Sequence, residues 1–145
     1  MKSLVQQHDL QNCACFNVRK SARVLTRHYD EALQPLELKP TQFTILAVLS
    51  GVDTITVTDL ADYMILDRTT LTRNLRPLEK QGMIQTGAGE DRRTRMISLT
   101  KKGLTKLQAA IPLWKQAQKD VTEYLGNNRF DKFLNELNYV EKMNT

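Results

Sequence analysis

The chain has 145 residues, of which 41% are hydrophobic and 26% are charged, and its formal net charge is +5. This length and balance indicate one folded domain over residues 1–145 and exclude a disordered chain. No apolar run approaches the roughly 20 residues that a membrane span requires, so we expect no membrane partner. The N-terminus lacks the apolar stretch of a signal peptide, and two cysteines make no disulfide framework. We therefore expect a cytoplasmic protein.

The first third of the chain predicts two helices. Apolar residues recur at steps of three and four, which is the spacing of one helix face. These positions are Val18, Ala22, Leu25, Tyr29 and Leu33. Asn12 or Asp9 is the predicted cap of this helix, and Pro35 ends it. A second helix is predicted to begin at Pro40, because proline suits the first helical turn.

A pair of shorter helices is predicted next. Thr56 begins a capping pattern that predicts a helix over Val57–Met64. Asp67 is the predicted cap of the following helix, since its carboxylate can accept backbone N–H groups of the first turn. That helix is expected to stop at Gly82 and to be kinked or split at Pro77, which cannot donate a backbone hydrogen bond.

The rest of the chain predicts two strands and two helices. The segments MIQT, GAGEDRRT and RMISLT have the pattern of a strand, a loop and a strand. Thr100 is the predicted cap of a long helix in which Pro112 should cause a bend, and Asn128 is the predicted cap of the last helix. The predicted order is therefore α-α-α-α-β-β-α-α.

This order predicts a mainly α fold with a small β-hairpin wing. Two helices joined by a tight turn and followed by a hairpin are the parts of a winged helix-turn-helix, which we place over about residues 40–103. The flanking helices, at about 9–36 and 104–145, have longer apolar stripes than one small core can use. They either pair with a second chain or pack on the central block.

Two groups of residues in the central block suggest contact with nucleic acid. The outward face of the second short helix carries Arg68, Thr69, Thr70, Thr72, Arg73 and Arg76. Arginine can bind guanine through two hydrogen bonds, and threonine can contact a base edge or a thymine methyl. The hairpin adds Arg92, Arg93, Arg95, Lys101 and Lys102. The alternative for both groups is an ordinary solvated surface.

The linked segments LDRTTLTRNLRPLEKQGMI and EDRRTRMISLTKKG resemble the MarR family of bacterial winged-helix transcription regulators. The similarity extends upstream through YDEALQPLELKPTQFTIL. The family's wing signature is matched by Asp91, Arg93, Leu99, Thr100, Lys102 and Gly103. Its helix signature is matched by Asp67, Arg68, Thr69, Thr70, Thr72 and Arg73.

The resemblance implies a homodimer that is joined by its terminal helices and binds double-stranded DNA at a pseudo-palindromic operator. It implies a repressor that a small aromatic or phenolic effector releases from the operator. In the wing, it implies that Arg93 enters a minor groove and that Asp91 holds it by an ion pair. Arg92 and Arg95 are left as either phosphate contacts or solvated side chains.

Cys13 and Cys15 raise a second hypothesis about regulation. A hydroperoxide-sensing branch of the family is similar to this chain in placing a reactive cysteine near the start of the first helix. A helix N-terminus favours the thiolate that such chemistry needs. Two helical residues at i and i+2 point about 200° apart, so a bond between these thiols within one chain is not expected. The alternative is that Cys15 packs and Cys13 is a surface residue.

No other chemistry is predicted. The two histidines and scattered carboxylates lack the spacing of metal ligands, and no arrangement of catalytic residues or cofactor-binding motif is visible. We therefore expect no enzyme, no metal and no cofactor. A winged-helix module that binds protein instead of DNA remains as an alternative, and the salt dependence of DNA binding distinguishes the two.

Overall fold

The computed structural model describes residues 4–144, which form helices and a small antiparallel sheet. The helices are α1 (Gln7–Gln11), α2 (Ala14–Leu33), α3 (Pro40–Leu49), α4 (Val57–Met64), α5 (Arg68–Lys80), α6 (Lys101–Leu125) and α7 (Asn127–Glu141), with a 3₁₀ turn at Gln34–Leu36. The strands are β1 (Ile55–Thr56), β2 (Ile84–Ala88) and β3 (Arg95–Leu99). Within this described part, no helix has the length and apolar character needed to cross a membrane.

The N-terminal helical segment is divided at Cys13 into α1 and α2, where the sequence predicted one helix capped by Asn12 or Asp9. Cys13 has extended backbone, and its Sγ accepts a hydrogen bond from the backbone N–H of Phe16 at 3.5 Å, so it is the N-cap of α2. The predicted caps are wrong, because Asp9 lies inside α1 and Asn12 is the C-cap of α1. A sulfur atom is a weak acceptor, and the cap preferences used for the prediction do not include it.

The two short helices form as their capping patterns predicted. The hydroxyl of Thr56 accepts the backbone N–H of Asp59 at 2.9 Å, and α4 spans the predicted residues. Asp67 caps α5 through the backbone N–H of Thr70 at 2.8 Å. Three leucines of α5 are buried against the core; they are Leu71, Leu75 and Leu78. The cap and the leucine seam together fix which face of α5 is exposed.

The sheet has one strand more than the predicted hairpin. β3 lies between β2 and the two-residue β1, and both pairings are antiparallel. Ile55 pairs with the buried Ile97, while Thr56 ends β1 and caps α4. Thr56 therefore contributes to both the sheet and the helix-turn-helix, and the wing is not an independent hairpin.

Thr100 connects the end of the wing to α6 and to the end of α5. Its hydroxyl donates to the carbonyl of Gly82 at 2.6 Å and accepts the backbone N–H of Gly103 at 3.1 Å, which confirms it as the N-cap of α6. Gly103 is buried, and a Cβ atom on it would collide with the carbonyl oxygen of Met83. Only glycine allows α6 to begin this close to the backbone that follows α5.

The two interior prolines lie within continuous helices, and the cap of the last helix differs from the predicted one. α5 continues through Pro77 to Lys80, so the proline does not split the helix. α6 likewise continues through Pro112 as one helix of 25 residues. The predicted cap of the last helix is wrong: α7 begins at Asn127, one residue before Asn128, after Gly126 at φ 80°. A positive φ suits glycine, and it lets α6 end and α7 begin without a loop.

One hydrophobic core joins α3, α4, α5, the sheet and the first half of α6. Its fully buried side chains include Leu33, Ile45, Leu46, Leu60, Leu71, Leu78 and Ile97. Leu33 at the end of α2 belongs to this core, but Val18 on the same stripe is 49% exposed. α1 and α7 bury no residue. The terminal helices therefore use only part of their apolar surface within one chain.

Candidate nucleic-acid interface

The N-terminus of α5 is held by Asp67 and Thr70. Asp67 accepts the backbone N–H of Thr70 through Oδ1 at 2.8 Å and its hydroxyl through Oδ2 at 2.7 Å. These two hydrogen bonds keep the pKa of Asp67 below its ordinary value, because they favour the charged carboxylate. The hydroxyl of Thr70 is thus used within the cap, and Thr70 is half-buried. Among the threonines predicted to contact DNA, Thr70 has a structural role.

The other predicted residues of α5 lie together along one shallow groove of about 730 Å³. The groove is lined by Arg68, Thr69, Thr72, Arg73, Arg76, Pro77, Lys80 and Gln81. Lys80 and Gln81 extend the predicted set by one turn. Lys80 could have been found from its spacing, because it lies four residues after Arg76 on the same helix face. The result is one continuous polar and cationic stripe along the exposed side of α5.

The turn between α4 and α5 is tight and has an unusual residue in it. Leu66 donates its backbone N–H to Ala61 at 2.9 Å, and Ile65 has the left-handed conformation with φ 52°. Glycine is the usual residue at this place, because a Cβ atom is disfavoured there and β-branched residues are disfavoured most. The Ile65 side chain is 52% exposed. This strained turn sets the position at which α5 begins.

The loop of the wing is ordered by its own hydrogen bonds. Gly89 donates to the carbonyl of Thr94 at 2.8 Å, and Thr94 donates to the carbonyl of Asp91 at 2.9 Å. The Oδ1 atom of Asp91 accepts the backbone N–H of Arg93 at 3.1 Å. Within residues 4–144, no ion pair joins the side chains of Asp91 and Arg93, so Asp91 positions Arg93 through the backbone instead of through the implied ion pair.

The arginines of this surface differ in what their side chains contact. Arg95 donates a hydrogen bond to the hydroxyl of Thr86 at 3.2 Å. None of the ion pairs in the described part of the chain includes an arginine of α5 or of the wing. From residue 68 to residue 95, seven Lys or Arg residues are accompanied by three Asp or Glu residues. The α5 stripe and the wing loop are therefore both cationic, with little internal compensation.

The two cysteines that were candidates for redox sensing lie outside the α5 stripe and the wing. Cys13 is half-buried at the start of α2 and Cys15 is exposed, and both are free thiols. In the described residues, no three potential ligands cluster in a way that could hold a metal ion. Tyr29 and Trp114 are both engaged in contacts between helices. Tyr29 bonds to Gln118 across α2 and α6, and burial raises its pKa; Trp114 stacks on Phe43 at 5.4 Å.

A helix-turn-helix, a sheet with an ordered wing loop and an excess of cationic side chains on both define the winged-helix class. Comparison with known proteins specifies it further. A family model described as MarR family matches residues 36–94. The organic hydroperoxide resistance transcriptional regulator of Bacillus subtilis (strain 168) is 32% identical over 114 residues, which cover 78% of each chain. The chain belongs to the MarR family and is a DNA-binding transcriptional regulator, as the resemblance implied, and not an enzyme.

Solved structures agree with this assignment. The M. tuberculosis transcriptional regulator MosR, solved in complex with DNA, is 40% identical to this chain. Its superposition has a TM-score of 0.80 and covers 91% of this chain and 98% of MosR. The transcriptional repressor CouR, solved with p-coumaroyl-CoA bound, shares the fold at 22% identity, with a TM-score of 0.83 over 95% of this chain and 97% of CouR. These relatives do not favour the alternative of a protein-interaction module.

Proposed function

We propose that this chain is a repressor that binds a pseudo-palindromic operator in the cytoplasm as a homodimer. In each subunit, α5 enters a major groove and Arg93 enters the adjacent minor groove. The observation that carries this proposal is the cationic stripe of α5, whose arginines, like those of the wing loop, form no ion pair within residues 4–144. An uncompensated stripe of this kind gains free energy by replacing the counterions of the DNA phosphates.

Each residue's proposed role follows from whether its side chain is exposed or is already used in a hydrogen bond within the chain. The base and phosphate contacts of α5 come from the exposed residues along its groove. These are Arg68, Thr69, Thr72, Arg73, Arg76 and Lys80. Thr70 serves this contact indirectly by holding the first turn through Asp67. At the wing tip, Arg93 is exposed and its backbone is fixed by Asp91, which suits a side chain inserted into a narrow, electronegative minor groove.

The homodimer is supported by the surface of the terminal helices. Val24 on α2 is 67% exposed, Tyr124 on α6 is 89% exposed and Tyr139 on α7 is 70% exposed. A groove of about 1030 Å³ runs between α2, α6 and α7, and its apolar lining includes Val24, Leu25 and Phe133. Exposed apolar surface of this extent is typical of a protein interface. We assign residues 9–36 and 104–145 to dimerisation and residues 40–103 to DNA binding.

The release of the repressor by a small aromatic or phenolic effector is the remaining part of this proposal. CouR has a structure with an acyl thioester of p-coumarate bound, which supports this ligand class for the fold. The effector acts by binding more tightly to the state that does not fit the operator. Because Tyr29 and Trp114 are used in helix packing, any ligand that contacts them changes how α6 packs on α2 and α3.

The Arg93→Ala variant tests the proposed interface. We expect the affinity for genomic DNA fragments selected by the wild-type protein to fall by roughly 10- to 100-fold, which is the range for loss of a charge-assisted contact. The thermal unfolding midpoint should be unchanged, since the Arg93 side chain is exposed. Lys115→Ala, an exposed charge on α6, is the control. Equal affinity of the Arg93 variant and the wild type would show that the wing does not bind DNA.

A thiol-based, hydroperoxide-type redox switch is the second candidate for regulation. The Sγ atom of Cys13 faces the N-terminus of α2, and the B. subtilis relative is named as an organic hydroperoxide resistance regulator. Oxidation of either thiol by a hydroperoxide to a sulfenic acid, with release of the alcohol, would alter the start of α2. DNA binding should then weaken on treatment with cumene hydroperoxide. The loss should be absent from Cys13→Ser or from Cys15→Ser; persistence in the double variant excludes the switch.

A further inference from the structure

The chain of hydrogen bonds from Glu79 through Thr86 to Arg95 connects α5 to the wing. The hydroxyl of Thr86 donates to Oε1 of Glu79 at 2.6 Å and accepts from the guanidinium of Arg95 at 3.2 Å. A hydroxyl has one hydrogen to donate and lone pairs to accept, so both bonds form at the same time. The three residues belong to α5, β2 and β3, which are the three elements that carry the DNA surface.

The register of the sheet places Arg95 and Thr86 on the same face. Ala88 pairs with Arg95 and Thr86 pairs with Ile97, and side chains two residues apart on a strand point to the same side. Ile97 is completely buried, so this is the face that packs towards the helices. Arg95 and Thr86 are diagonal neighbours on it, within reach of a long side chain. The Arg95 side chain therefore lies on the face of the sheet that packs towards the helices, and it points towards α5.

Arg95 differs in this respect from the arginine three residues before it. Arg92 lies in the wing loop, is exposed, and has no hydrogen bond or ion pair from its side chain to any other residue in the range 4–144. Arg95 is bonded to Thr86, and the negative charge of Glu79 lies one hydroxyl group away. A cation that already has a hydrogen bond and a nearby carboxylate gains less from a DNA phosphate than a free one.

We propose that Glu79, Thr86 and Arg95 are positioning residues that fix the angle between the wing and α5, and that Arg95 is not a phosphate contact. This proposal rests on the proposed function, because it concerns how Arg93 is presented to the minor groove. Arg95 directly follows the wing loop, whose last residue, Thr94, closes the loop by bonding to Gly89 and Asp91. Anchoring Arg95 to α5 therefore anchors the base of the loop that carries Arg93. The gain in affinity comes from ordering the wing before binding.

The test uses Thr86→Val, Arg95→Ala and Arg93→Ala, alone and in pairs, with Arg92→Ala as the matched control in the wing. The probe is the shortest genomic duplex that the wild-type protein selects. Valine keeps the branched shape of threonine in the strand and replaces its hydroxyl with a methyl group. We expect Thr86→Val and Arg95→Ala each to reduce affinity by roughly three- to tenfold, and their effects not to add. Thr86→Val and Arg92→Ala should be additive.

Three further readouts distinguish positioning from general stability and from phosphate contact. Arg93→Ala should cost less affinity in the Thr86→Val background than in the wild type, because a loose wing presents Arg93 poorly. The slope of log K against log salt should be unchanged in Arg95→Ala, whereas loss of a phosphate contact reduces it by about 0.9. Unfolding midpoints of all variants should equal the wild-type value, since the bonds are on the surface.

Different results would overturn the positioning role of Arg95 and the proposed DNA binding. A slope reduced by about 0.9 in Arg95→Ala, with Thr86→Val neutral, would make Arg95 a phosphate contact and overturn the proposal. Additive effects of Thr86→Val and Arg95→Ala, or full affinity of both, would overturn it as well. Wild-type protein that binds no genomic duplex would instead overturn the proposed function, and this inference with it.

Discussion

At the scale of single residues, polar side chains at helix ends position the elements of the candidate DNA interface. Asp67 fixes the first turn of α5 through both oxygens, and Thr56 joins β1 to α4. Such caps are local in sequence, so three of them could be predicted from the chain alone: Thr56, Asp67 and Thr100. The role of Thr70 could not, because whether its hydroxyl faces DNA or Asp67 depends on a rotamer that spacing does not determine.

The left-handed residue in the helix-turn-helix makes a testable prediction about strain. Ile65 has φ 52° and is half-exposed, so its Cβ atom costs energy there and its side chain returns little. The Ile65→Gly variant should be more stable than Ile65→Ala by about 1 kcal/mol, because alanine keeps the Cβ atom. Urea unfolding of the two variants measures this difference. At an ordinary helical or extended position the order would be reversed, and that order would show that Ile65 is not strained.

At the scale of elements, the junction of α5, the wing and α6 depends on close backbone approach. Thr100 bonds to the segment that follows α5 while it caps α6, and Gly103 leaves room for the Met83 carbonyl. The sequence predicted both helices and both hairpin strands but missed β1 and the division at Cys13. A two-residue strand is too short to show a periodic pattern in the sequence, and β1 forms only because it pairs with β3.

The Gly103→Ala variant tests this junction. The added methyl group would collide with the Met83 carbonyl and lie 2.7 Å from Cδ1 of Leu99, so α6 or the wing must move. We expect a loss of about 1–3 kcal/mol in the free energy of unfolding, measured by urea denaturation. Gly87→Ala is the matched control, because an added Cβ atom there meets nothing within 4 Å. Equal stability of the two variants would show that the backbones are not closely packed at Gly103.

At the scale of the whole molecule, the protein has one hydrophobic core and terminal helices whose apolar faces one chain buries only in part. The core uses Leu33 at the end of α2, but α1 and α7 bury no residue, and Phe16 and Val18 at the start of α2 are exposed. Periodicity could predict that these helices have apolar faces. It could not specify how much of each face one chain buries, because burial depends on where the helices lie relative to the core. The exposed surface is the reason for proposing a dimer.

The central claim is that two copies present two α5 helices and two wings to one face of DNA. Hydroxyl-radical footprinting of the wild-type protein on the genomic duplex it selects tests this claim most directly. We predict two protected segments whose centres are about 34 Å, or about 10 base pairs, apart, each flanked by protection of a minor groove. A single protected segment, or two with no flanking minor-groove protection, would contradict the account.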